Sequence, residues 1–218
     1  YTFEGAGVAL TLTFLTAALP EDIDILSRPV TYLTYAFSAT DGKQHDVSLY
    51  FDASGELTVN VPSQQQVVWS RQAVGNLAVA KIGSQEQPIL AKRGVDIRIV
   101  WGFLYVAAPN NAPAWVGGRG ALQVGFAKDG LTSQIGSGPE QPAAADAVAG
   151  ALVLKVGSVG NRAVSRWLML AYDDIYSIQY MQKNLRPYWR RTGWEAADLL
   201  RAAAKDYASL QIRSSTFD

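Results

Sequence analysis

The densest run of side chains able to do chemistry lies between Tyr172 and Trp189. It reads Tyr172-Asp173-Asp174-Ile175-Tyr176-Ser177-Ile178-Gln179-Tyr180 and continues to Asn184, Arg186, Tyr188 and Trp189. A carboxylate among tyrosines and a tryptophan suits the binding of a small polar substrate. The same residues also suit a satisfied polar joint between two domains. Adjacent side chains point to opposite faces of a strand and diverge by about 100° on a helix, so Asp173 and Asp174 do not form a natural dyad. One can face a site while the other caps the next segment. Asp173 and Asp174 are the acidic catalytic candidates. Tyr172, Tyr176, Tyr188 and Trp189 are the substrate-binding candidates.

Three other places invite a chemical reading. His45 follows the Asp41-Gly42 turn and is the single histidine. It reads as a general base or as an exposed turn residue, and no nucleophile motif accompanies it. Gly117-Gly118-Arg119-Gly120 follows Trp115, and its amides could hold an anion. It lacks the dinucleotide fingerprint and reads as a structural loop with no helix after it. Gly157-Ser158-Val159-Gly160 reads as a turn after a strand. With no cysteine, disulfides, thiol catalysis and cysteine metal sites are excluded. One histidine makes a zinc or facial-triad site an unsuitable reading. The expectation is therefore no metal and no cofactor.

The elements that must position these residues follow from periodicity. Val8, Leu10, Leu12 and Phe14 alternate with small or polar residues, as in a half-buried strand. Val30 to Ala39 is rich in β-branched and aromatic residues. Asp41-Gly42 then separates it from an alternating run, Asp46 to Phe51, which predicts a hairpin. Further strands are expected at Leu57 to Val61, Val67 to Val74, Leu77 to Ile82, Asp96 to Ala108, Leu122 to Ala127, Ala147 to Val156 and Arg166 to Ala171. In the Asp96 strand, Ile97, Ile99, Trp101, Phe103 and Tyr105 share a face. Pro109 to Gly120 and Gly136 to Ala145 read as long loops. Short strands with turns between them predict a mainly β fold, an antiparallel sandwich, followed by a short helical C-terminal segment. Thr192 and Glu195 have capping-box spacing. Ala196, Leu200, Ala203, Tyr207 and Leu210 then repeat at helical steps, giving a helix of about five turns. Its apolar stripe must lie on the sandwich or on helices outside this sequence. The domains are expected at 1–165 (sandwich), 166–191 (junction) and 192–218 (first helix of a helical domain).

Of the 218 residues, 49% are hydrophobic and 17% charged, and the formal net charge is zero. That is a globular composition with no basic excess, so no nucleic-acid partner is expected. No apolar run reaches the roughly 18 residues of a membrane span. The chain starts at Tyr1 and ends just after a helical pattern. It reads as one piece of a larger protein.

Two motif clusters carry a family resemblance. The first is Arg28-Pro29-Val30-Thr31-Tyr32-Leu33-Thr34-Tyr35, with Thr40-Asp41-Gly42, Val47-Ser48-Leu49-Tyr50-Phe51-Asp52 and Val68-Trp69-Ser70-Arg71. The second runs from Leu168 to Tyr180 and resumes at Leu185-Arg186-Pro187-Tyr188-Trp189. Together they resemble the N-terminal β domain of the fungal and bacterial glutaminase A family. The resemblance implies a secreted or envelope-associated hydrolase that deamidates L-glutamine to glutamate and ammonia. It also implies a β-sandwich followed by an α-toroid, with the remaining helical domain as partner, covalently linked or as a separate chain. It carries over no catalytic residue, and this stretch is expected to be largely non-catalytic. The alternatives are the β-sandwich part of a glycoside-hydrolase-like enzyme, or a binding or scaffold module. Exposed Trp and Tyr would suit sugars, and glycoside hydrolysis would need a carboxyl pair about 5 to 9.5 Å apart.

Overall fold

The computed structural model describes residues 1–91, 94–95, 98, 100–109, 112–131 and 140–218. An antiparallel sheet of eight strands is its largest element. In spatial order these are β1 (Thr2–Gly5), β2 (Val8–Leu15), β3 (Val30–Ala39), β11 (Val164–Asp173), β7 (Phe103–Ala108), β6 (Leu77–Ser84), β5 (Gln66–Val74) and β9 (Ala143–Ala144). A smaller sheet orders β4 (His45–Ser54), β10 (Val148–Val159) and β8 (Ala114–Gly118). Strands β12 (Ile178–Tyr180) and β13 (Lys183–Leu185) form a separate hairpin. The helices are the single turn α1 (Ile23–Leu26), α2 (Arg119–Asp129) and α3 (Ala196–Phe217). The mainly β sandwich with a C-terminal helix is thus present.

The central strands are apolar on consecutive residues because both faces of the large sheet are covered. Leu33, Ala80, Leu104 and Leu168 face Leu152, Leu154 and Val156 of β10, across the sandwich. Their neighbours Tyr32, Val79, Tyr105 and Met169 face the other way, onto Leu199, Leu200, Ala203 and Leu210 of α3. The helix therefore lies on the sandwich, which resolves where its apolar stripe goes. Polar contacts fix its register: Tyr32 Oη donates to Ala203 O at 2.8 Å, the Thr34 and Tyr207 hydroxyls meet at 2.6 Å, and Arg28 reaches Asp206 at 2.7 Å. Its capping box is Glu195 with Asp198, three residues later than the Thr192 spacing predicts. Gly193 has φ +84° and breaks the chain direction after Thr192, so no helix can begin there.

Several expectations need correction. Asp41-Gly42 does turn the chain, but β3 and β4 do not pair. Both edges of β3 are already taken, by β2 and β11, and β4 joins β10 in the other sheet. Leu57 to Val61 is no strand: Gly55–Thr58 is a 3-10 turn started by Ser54 Oγ, which accepts from Glu56 N–H at 3.2 Å. Leu122 to Ala127 lies inside α2, so a helix does follow Gly117–Gly120, and β8 occupies the end of the expected loop. This helix covers the outer face of the small sheet, packing Leu122 with Ala149, Ala151, Tyr50 and Trp115. Gly157 sits at a bulge inside β10 rather than in a turn after it. Of the expected strand from Asp96, β7 covers Phe103–Ala108, and Trp101 and Gly102 just before it are outside it. Asp96, Ile97 and Ile99, and the start of the Gly136 loop, lie outside the described residues.

Candidate functional site

Strand β11 sits between β3 and β7 and delivers Asp173 at its end, on the face that carries α3. The chain then turns sharply. Asp173 Oδ1 accepts from Ile175 N–H at 3.0 Å, and Tyr176 N–H donates to Asp174 O at 2.5 Å. Ile175, between them, has φ +61°. A β-branched residue there is strained and persists only where its surroundings impose it. Here the Asp173 carboxylate and the tight turn impose it.

The 3-10 turn Tyr188–Arg190 brings Arg190 onto Asp173. Arg190 Nε donates to Asp173 Oδ1 at 3.1 Å, and its Nη2 donates to Oδ2. Both side chains are almost fully buried, at 3% and 4% exposure. Nη1 of Arg190 donates to Trp194 O at 3.2 Å and to the Glu195 carboxylate, which also accepts from Arg186 at 3.0 Å. These two guanidinium groups hold the Glu195 carboxyl below its ordinary value, Arg190 contributing most. One planar guanidinium therefore links the end of β11 to the N-cap of α3, in the bidentate geometry that arginine favours.

A second clamp forms on the other side of β11. Tyr172 Oη donates to Trp101 O at 2.7 Å, and Trp101 Nε1 donates to Tyr176 O at 3.0 Å. Gly102 lies between them with φ +84°, so close that a Cβ would stand 2.2 Å from Asp173 O. Gln87 holds Gly102 by both backbone groups, accepting from its N–H at 2.6 Å and donating to its carbonyl at 3.0 Å. Burial chiefly, with Asp174 and Asp173 adding, pushes the Tyr172 phenol above its ordinary value, so it stays protonated at neutral pH.

The sequence candidates thus share one region but face different ways. Asp173 is buried and accepts from the Ile175 amide and twice from Arg190; Asp174 is half-buried on the far side of the turn. Trp189 is buried in the core under α3. Tyr188 is 43% exposed and carries Arg191 over its ring at 4.1 Å. Tyr176 lies beneath Arg186 at 5.9 Å. His45 sits at the corner between the sheets, 2.9 Å from Asp41. Two participants were missed in the sequence: Arg190, and Lys81, whose amine lies 3.6 Å over the Phe103 ring. Burial lowers the Lys81 amine below its ordinary value, against the pull of Asp173. A buried carboxylate demands a cation, and Arg190 beside Trp189 was the signal available for the first.

Beyond the turn, β12 and β13 project from this joint. Ile178, Tyr180 and Met181 are 57%, 61% and 79% exposed. Met181 and Gln182 at the tip both have positive φ, the backbone of a two-residue hairpin turn. Among the described residues no group of three His, Cys, Asp or Glu is placed to hold a metal, and no helix is long and apolar enough to cross a membrane.

No curated protein matches this chain. Among solved structures, 22 chains match. One is named "Putative kojibiose phosphorylase from human microbiome": it shares 8% identity and a TM-score of 0.36, over 95% of this chain and 19% of its own. This chain thus spans about a fifth of that protein, and a likeness at that level transfers neither residues nor activity. The resemblance to glutaminase A is corrected, and the amidohydrolase reading with it: the matching family model is a different one and carries no assigned activity. That model, a domain of unknown function, covers residues 1–218, and the chain belongs to this family, DUF5127.

Proposed function

We propose that this chain is the supporting β-sandwich of a glycoside-processing protein, and that it docks a helical part of that protein rather than performing the chemistry itself. The observation that carries the reading is the hairpin Ile178 to Leu185, which exposes Ile178, Tyr180 and Met181 and is held outward from a joint whose inner carboxylate is locked by Arg190. Exposed apolar side chains in such a cluster mark an interaction site. The occupant is helical because the hairpin base is continuous with the seat of α3: Arg186 and Arg190 both hold Glu195, the N-cap of that helix. The exposed rings of Tyr180 and Tyr188, the latter beside the Arg191 guanidinium, suit the apolar faces and hydroxyls of sugars. The Asp173 carboxylate is buried and bonded to Arg190 and the Ile175 amide, and glycoside hydrolysis needs two carboxyls that reach the substrate.

The test is turnover. The chain is incubated with α- and β-linked disaccharides, with and without inorganic phosphate, and released monosaccharide or sugar phosphate is measured. No release above the buffer rate is expected. Release that disappears in Asp174→Asn would overturn the reading.

A further inference from the structure

The two sheets differ in width, eight strands against three, and at the β4 side the large sheet extends past the small one. Directly opposed residues of paired strands share a face. Leu10 and Leu12 pack into the cluster between the sheets, so Phe3, opposite Leu10, and Tyr1, opposite Leu12, stand on that inner face. Phe14, opposite the buried Leu33, stands there too. Yet Tyr1, Phe3 and Phe14 are all more than half exposed, because the small sheet does not reach them. Tyr1 and Phe14 meet edge to face, with centroids 5.9 Å apart. Between Phe3 and Val47 of β4 a hollow of about 490 Å³ opens, and every residue lining it is described.

Strand β4 borders this surface. One of its edges pairs with β10 along all ten residues. Among the described residues no strand pairs with the other edge, and no group outside β10 bonds to the β4 main chain. Proteins blunt such edges with proline, lysine, a bulge or a very short strand. Strand β4 has no proline and no lysine, and the bulge of this ladder lies in β10. The neighbouring edge of the large sheet is blunted, since β1 is four residues long. Val47, Leu49 and Phe51 face inward along the open edge of β4. An open edge above an uncovered apolar floor is what strand addition requires.

A second copy does not fit there. Joined antiparallel through β4, its large sheet would extend past its own β4 into the space that Phe3 and Phe14 already hold. A single extended strand meets no such obstacle. Two carboxylates, Glu4 and Asp46, line the hollow with no cation beside them, and among the described residues neither is in an ion pair. We propose that the open edge of β4 accepts one extended strand of a partner polypeptide, apolar at every second residue and basic at the end that meets Glu4 and Asp46. Its main chain would bond to β4, and its apolar side chains would cover Phe3, Leu10 and Phe14. This surface shares no residue with the Ile178–Leu185 hairpin, and the proposal is independent of the role given to that hairpin.

The probe is the peptide Lys-Val-Thr-Val-Thr-Val-Thr, blocked at both ends and titrated against the chain while amide shifts and amide exchange are followed. It is expected to slow exchange at alternate amides of β4 and to bind more weakly as salt rises. A fully N-methylated form, which cannot donate main-chain bonds, and a form with glutamate in place of lysine are each expected to bind at least tenfold more weakly. Phe3→Ser, and the pair Glu4→Lys with Asp46→Lys, change exposed positions only. Each is expected to weaken binding at least tenfold with an unchanged melting temperature. Equal binding of the N-methylated form, shifts confined to the Ile178–Leu185 hairpin, no binding, or full binding by either variant would each overturn the proposal. So would protection of β4 amides that grows with chain concentration in the absence of peptide, the mark of a dimer joined through β4.

Discussion

Replacing Asp173 by alanine is expected to lower the unfolding free energy by about 3–5 kcal/mol, the usual cost of stranding one member of a buried ion pair. Arg190 would keep Glu195 and the Trp194 carbonyl, but two of its donors would lose their acceptor in a site closed to water. The Ile175 turn would lose the bond that holds its left-handed backbone. Urea denaturation measures the loss. The pair Asp173→Leu with Arg190→Met is expected to cost less than the two single changes summed, because neither partner is then left charged and alone. A loss below about 1 kcal/mol for the single change would show that the site admits water.

Gly102→Ala is the second large expected loss. A residue at φ +84° pays about 1–2 kcal/mol for left-handed backbone. The new methyl would also stand 2.2 Å from the Asp173 carbonyl, against backbone that β7 and Arg190 hold in place. Overpacking of that kind adds about 1–3 kcal/mol. The sum is about 2–5 kcal/mol. The bond from Trp101 to Tyr176 O should be disturbed as well, which the indole N–H resonance reports. Near-native stability with an unmoved resonance would mean that the two segments part easily.

The sandwich was largely legible because period-2 alternation is a local signal. Val8 to Phe14 and the runs at Val67 and Leu77 fall on β2, β5 and β6. What was not legible depends on which edge or face each element finds. Leu122, Val124 and Phe126 alternate as a strand does, yet the outer face of the small sheet needed a cover, and a helix with Gly130 at its C-cap supplied it. Val124 is consequently 68% exposed. Asp41-Gly42 has hairpin chemistry, but the chain changes sheets there because β3 has no free edge. At the site, the Tyr172–Trp189 cluster was visible from its residue types. The division of labour within it was not. That Asp173 turns inward and Asp174 outward depends on strand phase, and the inward one is buried only because α3 and Arg190 come back over it.

The proposed function divides the joint into an inner part that stabilises the chain and an outer hairpin kept for a partner. Its most direct test is the stability of the triple variant Ile178→Ser, Tyr180→Ser, Met181→Ser, measured by urea denaturation beside the parent chain. If these side chains serve a partner, removing them changes the unfolding free energy by no more than about 0.5 kcal/mol, as for other exposed positions. A loss above about 2 kcal/mol would mean that they pack into the chain's own fold, and the docking role would be contradicted.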